Sequence, residues 1–178
     1  MRAFWRQGFA STSFEDLIKA SKVNKQSLYC AFGDKRALFL KALGLYRHQV
    51  LTQIRTLLDQ GGSPLEGVKR VMHFATLPAV EKSCPPGCLL ANTALELGDK
   101  DREAAREAKA LFDGMEKLLS EAIKKGQKQG EITTRFSSSV LAQNLVNALN
   151  GIRILEKTGA SHKQIRALSG FAVEMLKI

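Results

Sequence analysis

The sequence predicts an all-α protein, and three observations carry that prediction. Apolar residues recur at steps of three and four through nearly the whole chain, which is the repeat of one helix face. No stretch alternates apolar and polar residues as a half-buried strand does. Serine, aspartate and asparagine stand where helices should start, and glycine or proline where they should stop. The 178 residues, 44% of them hydrophobic, suffice for a real core in one domain or two small ones sharing an interface.

The elements follow in order. Only Met1–Gln7 precedes Gly8, so a first helix is expected to be cut short, with Phe4, Trp5 and Phe9 on its apolar side. Thr12-x-x-Glu15 reads as a capping box that opens a second short helix through Phe14, Leu17 and Ile18. Ser21-Lys22-Val23-Asn24 makes a tight break, and Asn24 can cap a third short helix through Tyr29. Two short helices joined by a tight turn, packed by Leu17, Ile18, Val23, Leu28 and Phe32, form a helix-turn-helix, which can read DNA or be purely structural.

Asp34 can cap the long helix that follows, from Lys35 to Leu58, whose apolar face carries Phe39, Leu43, Tyr46, Val50, Ile54 and Leu57. Gly61-Gly62-Ser63-Pro64 stops it and starts the next, with Ser63 as cap and Pro64 at the first helical position, ending near Pro78. Cys84-Pro85-Pro86-Gly87 is a rigid connector before a short helix from Cys88 to Leu97 and a break at Gly98. A longer helix is expected from about Asp101 to Lys125, closed by Gly126 and Gly130, with Glu131–Phe136 a loop or short extended piece. The last two helices span Ser137–Glu156 and Ser161–Lys177, the second opened by the capping box Ser161-x-x-Gln164.

Charge separates the two ends. Residues 1–48 hold nine Lys and Arg against three acids, a net of +6 out of the chain's +10. A basic segment of this density is the footprint of a polyanion partner, because each neutralised phosphate releases counterions. Other classes are excluded for lack of their signatures. No apolar run is long enough to span a membrane, and no segment reads as a secretion signal. Three cysteines, Cys30, Cys84 and Cys88, are too few for a disulfide framework, and a reducing cytoplasm is expected. Cys84-x-x-x-Cys88 has no second ligand pair nearby, and His48, His73 and His162 are scattered, so no metal is expected. No Ser/His/Asp arrangement or phosphate-binding glycine loop appears, so neither an enzyme nor a cofactor is expected.

The run Gly8-Phe9 … Thr12-Ser13-Phe14-Glu15-Asp16-Leu17-Ile18 … Val23-Asn24-Lys25-Gln26-Ser27-Leu28-Tyr29 … Phe32-Gly33-Asp34-Lys35-Arg36-Ala37-Leu38-Phe39 resembles the DNA-binding domain of tetracycline-repressor (TetR) family regulators. Pro86-Gly87-Cys88-Leu89-Leu90 and Asn150-Gly151-Ile152-Arg153-Ile154-Leu155 are similar to segments of the multidrug-repressor-like branch. The family's turn is commonly Gly-Val, and here it is Lys22-Val23. A left-handed Lys22 would be strained by about 1 kcal/mol.

The resemblance implies a helix-turn-helix domain over residues 1–48 and a helical ligand-binding and dimerisation domain over 49–178. It implies a homodimeric repressor, released from a pseudo-palindromic DNA operator by a small-molecule effector. Thr12 or Ser13 would meet a phosphate at the start of the first motif helix. Asn24, Lys25, Gln26 and Ser27 open the recognition helix, with Gln26 suited to adenine and Lys25 to guanine or phosphate. Tyr29 and Lys35 would hold further phosphates. Polar residues for a ligand cavity are His48, His73, Asn92, Thr93, Glu96, Asn144 and Asn147. Cys88, at a helix N-terminus where a thiolate is favoured, is a candidate redox or electrophile sensor, with a small buried residue as the plain alternative. The competing functional reading is a helical dimeric module that has lost DNA binding through its shortened first helix.

Overall fold

The computed structural model describes residues 1–77 and 85–178. Among them the chain forms helices joined by turns and bends, without a strand. The elements are α1 (Arg2–Ser11), α2 (Phe14–Ser21), α3 (Lys25–Phe32), α4 (Lys35–Asp59), α5 (Pro64–Phe74), α6 (Leu89–Leu97), α7 (Arg102–Lys128), α8 (Ser138–Lys157) and α9 (His162–Glu174). The all-α expectation holds, and so do the caps Asn24, Asp34, Ser63 and Ser161, each accepting a backbone N–H of the first helical turn, as Ser137 does for α8.

Some boundaries differ from those expected, each for a physical reason. The capping box of α2 is Ser13 with Asp16, one residue beyond the pair expected from the sequence, because Thr12 is fully buried. Its hydroxyl donates to the Gly8 carbonyl at 2.6 Å. Gly126 does not close α7 but lies buried inside it, where a Cβ would stand 2.6 Å from Cδ1 of Ile132. The expected ends of α5 near Pro78 and of the connector at Cys84 lie outside the described residues.

α1 is broken at Gly8, whose φ of 81° and ψ of 177° belong to a region open essentially to glycine alone. The break turns Phe9 back onto the core of the small N-terminal layer. There Phe4, fully buried, meets Phe39 edge-on at 4.9 Å, and Phe9 meets Phe39 at 4.8 Å. α4 runs without interruption through residue 48, so the two expected domains share one helix. α7 packs along α4, α5, α6 and α8, and α9 covers α5 and α8. Leu43, Met72, Leu90, Leu119, Ile123 and Leu145 fill the centre of this second layer, all essentially without solvent contact.

Candidate nucleic-acid interface and ligand cavity

Ser13 and Asp16 satisfy each other's backbone N–H at the start of α2, and the Ser13 hydroxyl also donates to Asp16 Oδ2 at 2.6 Å. These bonds hold the Asp16 carboxyl below its usual range. The helix end read from sequence as a phosphate site therefore already faces an anion of its own. The turn that follows depends on Lys22, which adopts the left-handed conformation at φ 58° and ψ 20°. Its N–H donates to the Ile18 carbonyl at 2.9 Å, which closes α2 as a glycine would. Asn24 Oδ1 then accepts the Ser27 N–H at 2.8 Å, so this amide group is spent on capping α3.

That leaves Lys25, Gln26 and Ser27 exposed on the first turn of α3. Leu28 anchors the helix from behind, buried with Leu17, whereas Val23 stays largely exposed. Tyr29 stacks flat on Phe14, with ring centroids 4.3 Å apart, and Lys25 Nζ stands 6.0 Å from the Tyr29 ring centre. The exposed stretch is thus held on a rigid aromatic seat rather than on a loop.

Lys35 does not point freely outward. Its ammonium donates to the carbonyls of Phe9 at 3.0 Å and Thr12 at 3.1 Å, and sits 4.5 Å above the Phe9 ring. Two of its three N–H donors are spent on the end of α1, which leaves one for a phosphate.

Contacts that sequence reasoning did not foresee join this small layer to the rest, among them those of Glu96, expected in a ligand cavity. Glu96 of α6 accepts from the N–H groups of Phe9 at 3.0 Å and Ala10 at 2.7 Å, which the Gly8 break leaves without helical partners. Arg36 forks onto Asp101, Nε to Oδ2 at 2.7 Å and Nη2 to Oδ1 at 2.9 Å, and also reaches Glu103. Asp101 at the same time caps α7 through Ala104 and Glu103, and its carboxyl is held down at about 2, chiefly by Arg36. Arg47 adds a bond to Glu107 at 2.8 Å. Each pair spans 60 residues or more, and no local pattern announces such a contact.

A cavity of about 490 Å³ opens between α4, α5, α7 and α8, within the range of small-molecule sites, roughly 300–1,000 Å³. Its polar wall is formed by Gln49, Gln53, Asn150, Arg153 and Glu156, and Trp5 reaches it from α1. None of the ligand candidates named from sequence lines it. His48 and His73 are exposed. Thr93 is buried with its hydroxyl donated to the Leu89 carbonyl, Asn92 accepts from Lys157 at 3.5 Å, and Glu96 clasps α1. Asn144 and Asn147 are exposed on α8 in one stripe with Val140, Gly151 and Ile154, away from the core-facing Leu145 and Leu149. Periodicity gave the helix but not which of its polar edges faces inward; that edge carries Asn150 and Arg153.

Cys88 caps α6, buried at the cavity wall, with its sulfur accepting the Ala91 N–H at 3.5 Å. Tyr46 lies against it, and burial together with the thiol pushes the phenol well above its usual pKa. Among the described residues no group of three His, Cys, Asp or Glu side chains could hold a metal, and no helix is long and apolar enough to cross a membrane.

Comparison with known proteins agrees with this architecture. A family model described as "Bacterial regulatory proteins, tetR family" matches residues 1–42, and one described as "Tetracyclin repressor-like, C-terminal domain" matches residues 64–168. The HTH-type transcriptional repressor ComR of Escherichia coli (strain K12) is 25% identical over 177 residues, covering 98% of this chain and 84% of its own. A TetR-family regulator of Agrobacterium tumefaciens superposes with a TM-score of 0.89 at 19% identity, over 99% of this chain and 93% of that one. The regulator CifR, as a cysteine mutant complexed with 26-bp double-strand operator DNA, superposes with a TM-score of 0.85 at 27% identity, over 98% and 91%. With both family models matched on one continuous all-helical scaffold, the chain belongs to the tetracycline-repressor family and is a DNA-binding transcriptional regulator.

Proposed function

We propose that this regulator is a cytoplasmic repressor that binds a pseudo-palindromic operator as a homodimer and leaves it when a small molecule enters the 490 Å³ cavity. The observation that carries the reading is the exposed first turn of α3, Lys25-Gln26-Ser27, held rigid by the Asn24 cap and the left-handed Lys22. In this geometry Gln26 faces base edges, Lys25 a base or phosphate, and Tyr29 with the remaining N–H of Lys35 the backbone. Thr12 drops out because it is buried, and Ser13 and Asn24 act as caps. Residues 1–48 supply the reading head, and residues 49–178 the dimer and most of the cavity, whose wall Arg2, Trp5 and Tyr46 complete.

The dimer reading rests on α8 and α9. Val140 and Ile154 on α8, Leu168 and Phe171 on α9 and Met175 at its C-cap are all more than two-fifths exposed, and Phe171 is 66% exposed. A Cβ at Gly151 or Gly170 would meet nothing within 4 Å, so a facing helix can approach closely. Two copies of this pair form a four-helix interface that buries the stripe, with Asn144 and Asn147 inside it rather than in the ligand site. The competing module without DNA binding is disfavoured because the short α1 still seats Phe4 against Phe39. Fluorescence anisotropy with duplexes from the chain's own upstream region tests the reading: salt-dependent, saturable binding supports it, and its absence contradicts it.

A further inference from the structure

We propose that the cavity takes an uncharged, chiefly apolar ring compound with one hydrogen-bond acceptor, and that the indole N–H of Trp5 reads that acceptor. This deepens the proposed function and rests on the cavity being the effector site.

Among the described residues, Trp5 Nε1 is the only buried side-chain nitrogen or oxygen without a hydrogen-bond partner. Few buried donors stay unpaired in native proteins, so its partner is to be sought in another molecule. Trp5 lines the cavity with its Nε1 shielded from solvent, so a bound ligand must turn the ring to bring the N–H to its acceptor. Its ring meets Tyr46 edge to face at 4.9 Å, and Tyr46 lines the same wall, which makes an aromatic corner. Ile54, Leu57, Met115 and Leu149 extend the apolar surface.

The wall carries two arginines and one glutamate. Arg153 is paired with Glu156 at 2.9 Å, and Arg2 is itself engaged. The other polar groups are the neutral amides of Gln49, Gln53 and Asn150. An ion would leave water for a mainly apolar space. Trp5 belongs to α1, so a ligand bonded to it touches the DNA-reading layer directly.

A matched pair of probes tests the assignment: 2-acetonaphthone and its hydrocarbon analogue 2-isopropenylnaphthalene, alike in shape but differing in the carbonyl. The chain has one tryptophan, so the nitrogen-15-labelled protein shows one indole N–H resonance. The ketone is expected to move that resonance downfield saturably, and the hydrocarbon is not. By calorimetry the ketone should bind wild type about tenfold more tightly than the hydrocarbon, and the preference should vanish in Trp5→Phe. The proposal is overturned if the ketone does not bind, binds with the indole unmoved, or keeps its preference in Trp5→Phe. Should that variant fail to fold, the wild-type resonance decides alone. Operator binding by wild type, measured alongside, separates the two failures. Intact DNA binding without a ketone response sinks this assignment only, whereas absent DNA binding sinks the regulator reading.

Discussion

Glu96 Oε1 lies 2.7 Å from the amide nitrogen of Ala10, a bond across 86 residues that fastens α6 to the far side of the break in α1. The break and the bond require each other. A Cβ at Gly8 would stand 2.7 Å from Glu96 Oε2, and without the carboxylate the amides after the break would lose their acceptors. Cys88, the cap of α6, lies on the cavity wall, so one helix adjoins both the cavity and the DNA-reading layer.

Removing this clasp should be felt as stability. Glu96→Ala is expected to cost about 1.5–3 kcal/mol, the range for hydrogen bonds to a charged group, and Glu96→Gln less, since one oxygen remains as acceptor. Denaturant melts measure both. No loss in Glu96→Ala would show the clasp to be idle in solution.

Lys35 should show two effects at once. Lys35→Ala removes two bonds to carbonyls at the end of α1 and should destabilise by about 1–3 kcal/mol. It should also weaken binding to all duplexes alike and lower the salt slope by about one contact per half-site. A stability loss with an unchanged salt slope would assign Lys35 to structure alone.

These two residues mark what the sequence could reveal. Spacing and caps showed the helix order, the Asn24 and Asp34 starts and the Lys22 turn, because each depends on neighbours a few residues away. The inward turn of Lys35, the clasp of Glu96 and the fork of Arg36 on Asp101 depend on helices distant in sequence. Polar type alone pointed to Asn144 and Asn147 for the ligand site. The helix rotation that brings Asn150 inward instead is set by packing against α7. Trp5 was legible as apolar cover for the core, but its unpaired N–H is a property of the folded surroundings.

The Arg36–Asp101 fork predicts a pH dependence. Asp101 has its carboxyl lowered from 3.8 to about 2 in the folded chain. Its contribution is therefore complete above pH 3.8 and is lost as pH falls through about 2. Asp101→Asn should cost about 1 kcal/mol at neutral pH, from the charge lost beside the partly exposed Arg36 and at the α7 N-terminus, because the Asn Oδ1 still accepts from the Glu103 and Ala104 N–H groups. The gap between wild type and variant in thermal melts should close between pH 4 and 2. A constant gap would contradict the assignment.

The exposed stripe of α8 and α9 predicts assembly. Wild type should sediment as a dimer at micromolar concentration, and Phe171→Glu should sediment as a monomer, since it would bury a charge at the centre of the stripe. A monomeric wild type would remove the four-helix interface from this account.

The central claim is that α3 reads base edges as one of a twofold pair, with Gln26 in the groove. It is tested most directly by selecting bound duplexes from a randomised library with wild type and with Gln26→Ala. Wild type should enrich two inverted half-sites, and Gln26→Ala should keep both but relax one position in each, at a cost of roughly 1–3 kcal/mol there. Enrichment of no inverted repeat, or an unchanged motif with Gln26→Ala, would contradict the placement of α3.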